Sequence, residues 1–130
     1  MKLIILTLIF ISSLYSVEPN WLNNYDKALQ QAKKEYKDVY LFIGADNCRF
    51  CEIFKKTTLW KKEVITDLEK EYVLLFLNRD QHEIPKHFAI QGVPRHYFLT
   101  SDGKIIHEDA GIMEPDGFYL MLDEVDLKKE

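Results

Sequence analysis

The 130-residue sequence contains only two cysteines, Cys48 and Cys51, and so cannot form a framework of several disulfides. It also lacks an excess of positive charge. Seventeen lysines and arginines stand against 21 aspartates and glutamates, and this balance argues against nucleic acid as a partner. No repeat, low-complexity stretch or long linker divides the chain. Because 47% of the residues are hydrophobic, we predict one mildly acidic globular domain with a substantial core.

A run of about 20 apolar residues, which a transmembrane helix needs, is missing as well. The N-terminus instead combines a positive start at Lys2, a shorter apolar run over residues 3–11 and small residues after it. This order is typical of a secretory signal peptide. We therefore predict a signal peptide over residues 1–16, cleaved at its end or, as a second choice, after Ser13, and an exported domain over residues 17–130. An uncleaved membrane anchor is the alternative.

Hydrophobic patterning predicts alternating helices and strands. Apolar residues at helical spacing indicate a helix over residues 21–37, with Asn20 as its N-cap, and continuous apolar runs indicate buried strands over 39–43 and 72–77. The other predicted elements are a helix from Cys48 toward Thr58, helices over 61–71 and 85–89, hairpin strands over 97–99 and 104–106, a loop over 109–111, and a last helix from Pro115. Buried strands linked by helices favour parallel pairing, and the hairpin adds antiparallel strands, so we expect a mixed α/β sheet.

The two cysteines stand in Cys48-Arg49-Phe50-Cys51, between a predicted strand and a predicted helix. Two thiols at this spacing are a redox or metal-binding pattern. A structural disulfide gains more by closing a long loop, so this pair is better suited to exchange than to stabilisation. A cysteine at a helix N-terminus faces unpaired N–H groups, which favour its thiolate, and Arg49 adds a nearby cation.

The order of elements, the Cys-x-x-Cys after a buried strand and the Gly92-Val93-Pro94 before the hairpin resemble the thioredoxin superfamily. Residues 42–51 are most similar to exported bacterial thioredoxin-like proteins. The resemblance covers residues 21–125. It implies a single-domain α/β thioredoxin-like fold, in which helices flank a central mixed sheet.

The resemblance also implies roles for individual residues. Cys48 matches the exposed nucleophile, Cys51 the buried resolving cysteine, and Pro94 the proline whose preceding peptide bond is cis. The Cys48 thiolate would attack a substrate disulfide, and Cys51 would then release the product. An extended substrate could pair as an added strand with the backbone before the proline. The substrate-binding residues expected are Val93, Arg49 and Phe50.

The sequence departs from thioredoxins proper near the cysteines. A buried acid and a buried lysine of that family are replaced by Phe42 and Phe76, and the residue before the first cysteine, commonly tryptophan, is Asn47. The group that takes the proton from Cys51 is therefore an open question. The candidates are Asp46, Glu52 and water.

The function expected is that of an exported, periplasmic thiol:disulfide oxidoreductase without a cofactor, with a reductase favoured over an isomerase. Its expected partners are protein or small-molecule disulfides and dithiols and a membrane electron carrier, and the chain is expected to be a monomer.

Two other functions use the same residues. The cysteines could bind and deliver Cu(I) or another soft metal with the help of a histidine, although no histidine has the spacing of a preformed zinc site. The four histidines are His82, His87, His96 and His107. Alternatively, the cysteines could be inert or structural and the chain a binding module.

Overall fold

The structure, a computed structural model, describes residues 20–130, so the predicted signal peptide lies outside the described residues. In chain order its elements are α1 (Tyr25–Glu35), β1 (Asp38–Gly44), α2 (Arg49–Phe54) with a π-helical turn (Lys55–Leu59), α3 (Lys62–Glu71), β2 (Tyr72–Asn78), β3 (Arg95–Leu99), β4 (Ile105–Ala110) and α4 (Pro115–Lys129). Among these residues no helix is both long enough and apolar enough to cross a membrane.

The four strands form one mixed sheet in the order β2-β1-β3-β4. β1 pairs in parallel with β2 and antiparallel with β3, and β3 pairs antiparallel with β4. This confirms the expected thioredoxin-like α/β fold, with a parallel pair joined by helices and a hairpin beyond it. The central strand β1 is buried from Val39 to its end.

Side chains alternate across β1 and divide the interior into two cores. Tyr40 and Phe42 lie in the core that α2, α3 and α4 cover, whereas Leu41 and Ile43 lie in the core that α1 covers. Nearly all side chains of β1 and β2 are therefore buried, on whichever side of the sheet they point, which explains the continuous apolar runs of these two strands in the sequence.

The predicted helix over residues 21–37 is shorter than expected. Leu22 pairs with Leu75 and adds a short parallel segment to the outer edge of β2, so α1 begins only at Tyr25. Its N-cap is Asn24, whose side chain accepts a hydrogen bond from Lys27 N at 2.9 Å. The prediction of Asn20 as the cap is wrong because backbone pairing with β2 competes with helix formation there.

Two further predictions are corrected. Residues 85–89 form a turn rather than a helix, because the Ala89 N–H donates to the Tyr97 hydroxyl at 2.9 Å and Phe88 is buried against α1. The predicted loop over 109–111 is strand up to Ala110, which pairs with Arg95. In both places a partner distant in sequence decides the local conformation.

The cap of α1 gives a direct test. We expect Asn24→Ala to lower the free energy of unfolding by about 1 kcal/mol, because a backbone N–H loses its acceptor. The control is Asn20→Ala, which leaves the hydrogen bond from the Asn20 backbone N–H to Glu69 in place and should change stability by less than about 0.5 kcal/mol. Urea unfolding of both variants measures the difference, and equal losses would contradict the assignment of the cap.

Candidate active site

The two cysteines form a disulfide at the start of α2. Cys48 is the N-cap of the helix, and its sulfur accepts a hydrogen bond from Cys51 N at 3.1 Å. The two Cα atoms lie 5.2 Å apart. Cys48 is half-buried, whereas Cys51 is only 1% exposed. One sulfur is therefore open to a reaction partner, and the other is enclosed by the core.

The enclosed sulfur lies against Gly44 at the end of β1. A Cβ atom at Gly44 would lie 3.7 Å from Cys51 Sγ and 3.1 Å from the ring of Phe76. Phe42 stacks on Phe76 with ring centroids 5.4 Å apart, and Phe54 packs on Phe42 at 5.8 Å. The two aromatic residues that replace a charged pair of thioredoxins are thus direct neighbours, and they form an apolar wall beside Cys51.

The loop before Cys48 is bound to the loop after β2. One carboxylate oxygen of Asp46 accepts hydrogen bonds from Asn78 Nδ2 at 2.9 Å and Gln81 Nε2 at 2.6 Å, and Asp46 N donates to Asp80 at 2.8 Å. Asn47 has a φ of 53°, a left-handed conformation that asparagine tolerates better than most residues. Asp46 therefore holds the loop with one carboxylate oxygen and its backbone N–H.

A cation lies beside the aromatic wall. Lys55 follows Cys51 by one helical turn, and its side chain, 19% exposed, extends back along the same face. Its ammonium lies 4.7 Å from the ring centre of Phe76, 5.5 Å from that of Trp60 and 3.2 Å from the Glu52 carboxylate. Lys55 is not among the site residues predicted from the sequence, although its spacing of four residues from Cys51 could have pointed to it.

The predicted substrate-binding residues lie on two segments. The Val93-Pro94 peptide bond is cis, as expected; Pro94 is buried, and the half-buried Val93 packs against the same core as Cys48. Arg49 and Phe50 point outward from α2, and Phe50 is 57% exposed. The side chain of Phe50 is therefore free to contact a partner at the disulfide.

His96 is the histidine nearest to Pro94 in sequence, and it is fully buried. Its Nε2 lies 2.8 Å from the Gly111 carbonyl oxygen, which can only accept, so Nε2 carries the hydrogen. Its Nδ1 lies 2.8 Å from the Tyr40 hydroxyl and accepts from it. Burial lowers the pKa of His96 from 6.5 to about 4, so the ring is neutral at neutral pH.

The remaining histidines do not complete a metal site with the cysteines. Both nitrogens of His96 are engaged, His82 Nδ1 accepts from Asn78 N at 2.9 Å, and His107 Nδ1 lies 2.6 Å from Lys128 Nζ. Within residues 20–130, no group of three or more histidine, cysteine, aspartate or glutamate side chains is placed to hold a metal ion. No observation in the described chain therefore favours copper delivery over thiol exchange.

A protein-family model described as Thioredoxin-like matches residues 20–101, well over half of the chain. The chain belongs to the thioredoxin-like family. No curated protein matches the sequence significantly. With the Cys48–Cys51 disulfide at the start of α2, the chain is a thioredoxin-like thiol:disulfide oxidoreductase.

Solved structures agree with this fold. The chain is similar to a structure named DsbH Oxidoreductase, with a TM-score of 0.68 and 16% identity over 82% of this chain and 83% of that one. It is similar to a thioredoxin from Thermus thermophilus, with a TM-score of 0.71 and 20% identity over 84% and 88% of the two chains. The oxidised C-terminal domain of DsbD from Neisseria meningitidis gives a TM-score of 0.59 and 25% identity over 75% and 90%.

The buried His96 predicts a pH-dependent stability of the thioredoxin-like domain. Its pKa is about 4 when folded and near 6.5 when unfolded, so the unfolded chain binds more protons between these values. We expect the free energy of unfolding contributed by this group to be complete above pH 6.5 and to fall by up to about 3 kcal/mol toward pH 4. Urea unfolding at pH 7 and 4.5 measures this. His96→Gln should show a smaller decrease, and identical decreases would contradict the prediction.

The cation beside the wall predicts an effect on the redox equilibrium. Lys55→Met should lower the reduction potential, because a positive charge near the thiolates stabilises the reduced form. We expect a shift of about threefold, or about 15 mV, toward the disulfide in equilibrium with glutathione. The matched control is Lys56→Met, at the exposed neighbouring lysine. Equal potentials for the two variants would rule out a specific effect of Lys55.

Proposed function

We propose that the protein is an exported thiol:disulfide reductase that acts through Cys48 and Cys51. The observation that carries the proposal is the unequal burial of a disulfide-bonded pair at the start of a helix, with Cys48 half-exposed and Cys51 enclosed. Nucleophilic attack needs an accessible sulfur, and release of the product needs a second sulfur that is adjacent to the first and shielded from solvent.

In the proposed reaction, the Cys48 thiolate attacks one sulfur of a substrate disulfide and displaces the other as a thiolate. Cys51, once deprotonated, attacks Cys48 Sγ, breaks the mixed disulfide and releases the second substrate thiol. Two electrons pass from the protein dithiol to the substrate, and the Cys48–Cys51 disulfide forms. The Cys51 N–H, 3.1 Å from Cys48 Sγ, would support the thiolate by a charge-assisted hydrogen bond.

The site also supports a proposal for the proton acceptor of Cys51. The wall formed by Phe42 and Phe76 carries no ionisable group, and the carboxylate of Asp46 is bound to Asn78 and Gln81. Glu52 also uses one carboxylate oxygen, to pair with Lys55, but it stands on α2 itself, one residue after Cys51. We assign the proton transfer to Glu52 or to water that it contacts.

Substrates would lie across the two exposed segments of the site. An extended peptide can pair with the backbone at Val93, and an apolar side chain next to the substrate cysteine can contact Phe50. Arg49 places a cation near the attacking sulfur. These features favour disulfides in proteins and peptides over small-molecule disulfides as substrates.

Location and electron supply belong to the same proposal. The predicted signal peptide supports export to the periplasm, where a reductase requires electrons from across the membrane. A membrane electron carrier would restore the dithiol after each turnover. A monomer fits the reductase function, because an isomerase of this fold would gain from a second domain or subunit that binds unfolded chains.

The two cysteines give distinct expected results. Cys48→Ala should reduce disulfide-reductase activity to the rate without protein, because the nucleophile is lost. Cys51→Ala should accumulate mixed disulfides, and all of them must be on Cys48, since the chain has no other cysteine. Insulin reduction and intact-mass spectrometry measure the two effects, with Asn20→Ala as a folded control. Full activity of Cys48→Ala would overturn the proposal.

The direction of electron flow is tested separately by the reduction potential of the purified protein in glutathione buffers. A reductase should equilibrate near or below about -230 mV, and a potential near about -120 mV would indicate an oxidant instead.

A further inference from the structure

We infer that His96 is a positioning residue that holds the Val93-Pro94 segment in place through Gly111. The inference rests on the proposed function, because it concerns the segment on which a substrate would pair. The sequence suggested His96 only as a possible metal ligand, and the disulfide exchange described above makes no use of it.

A continuous chain of hydrogen bonds carries the inference. The Tyr40 hydroxyl on β1 donates to His96 Nδ1 at 2.8 Å, and His96 Nε2 on β3 donates to the Gly111 carbonyl at 2.8 Å. The Gly111 N–H then donates to the Pro94 carbonyl at 2.9 Å. Gly111 thus binds residues 94 and 96 at once, through its two backbone groups.

The ring of His96 cannot easily change position. Phe54 meets it edge-on with centroids 4.9 Å apart, and Phe42 stacks on it at 5.9 Å. Burial raises the pKa of the Tyr40 hydroxyl, which therefore remains a protonated donor. The imidazole of His96 is therefore held in one orientation by Tyr40 of the central strand β1, and it donates to the Gly111 carbonyl.

Gly111 has the conformation that this contact requires. It follows the last residue of β4 with a φ of 99°, where a side chain is strained, although no atom lies within 4 Å of the place that a Cβ would occupy. The glycine is needed for the backbone conformation rather than for space. That conformation directs its N–H to Pro94 and its carbonyl to His96.

Loss of the His96 donor would leave the part-buried Gly111 carbonyl without this partner and release one of the two hydrogen bonds that fix Gly111, whose N–H binds Pro94. A displaced Val93-Pro94 segment should pair less well with an extended peptide. The reaction of Cys48 with a small disulfide, which needs no such pairing, should change little. The expected signature is therefore a change in KM for a peptide disulfide without a matching change in sulfur reactivity.

Two substitutions separate positioning from packing. Glutamine at position 96 can place its amide N–H where Nε2 lies and its amide oxygen toward Tyr40, whereas methionine fills a similar volume with neither group. The matched control is His107→Met, which removes the other buried histidine of the hairpin, one whose Nδ1 contacts Lys128 rather than Gly111.

The experiment compares wild type, His96→Gln, His96→Met and His107→Met, each confirmed as folded by circular dichroism. KM and kcat are measured with a disulfide-bonded peptide, and the reduced proteins are reacted with 5,5′-dithiobis(2-nitrobenzoic acid). We expect His96→Met to raise KM about tenfold, with the small-disulfide rate within about threefold of wild type. His96→Gln and His107→Met should both keep KM within about threefold.

The inference is overturned if His96→Met keeps the wild-type KM, if it slows peptide and small disulfide equally, or if His107→Met behaves like it. Should His96→Met not fold, Gly111→Ala tests the same link. A side chain is strained at the φ of 99°, so alanine should displace the Gly111 groups that bind His96 and Pro94, while the space for its Cβ is open. Amide hydrogen exchange at Gly111 gives a readout independent of activity and should be faster in His96→Met than in His96→Gln. A wild type that reduces no peptide disulfide contradicts the proposed function, while equal Gly111 exchange in both variants contradicts the role of His96.

Discussion

The redox pair depends on the close approach of helix α2 to Gly44 at the end of β1. A Cβ atom at Gly44 would press on the ring of Phe76 at 3.1 Å and touch Cys51 Sγ at 3.7 Å, so the glycine lets the ring lie this close to the strand. This contact buries Cys51 while the cap position leaves Cys48 partly open. The different roles of the two cysteines thus arise from packing. Helix α2 places Cys51 against β1, whereas Cys48 lies at the end of the helix, away from this contact.

The charged groups near Cys51 differ from those of thioredoxins proper. The interior beside Cys51 holds stacked Phe42 and Phe76, which avoid the cost of burying an ion pair. The cation is instead Lys55, supplied by α2 itself and held over the outer face of the Phe76 ring. Its ammonium keeps a carboxylate partner and partial access to solvent, so the site can have a positive charge nearby without a fully buried one.

Two polar side chains near the site hold the segments that carry site residues. Asp46 joins the loop before Cys48 to the loop after β2, and His96 joins β1 to the segment at Pro94 through Gly111. The first arrangement fastens its loop to the end of the edge strand β2, and the second fastens the Pro94 segment to the central strands β1 and β3. These hydrogen bonds add to the apolar contacts that Cys48 and Val93 make with the core.

The sequence by itself determined the buried strands, the mixed sheet, the Cys-x-x-Cys at a helix start and the proline before the hairpin, because these follow from local periodicity and from a motif within one turn. The tertiary structure decided the cap at Asn24, the turn over residues 85–89 and the orientation of His96. Each of these depends on a partner distant in the chain: β2 for the segment before α1, Tyr97 for Ala89, and Gly111 with Tyr40 for His96. A buried polar group takes whichever partner the fold brings to it, and sequence spacing does not specify that partner.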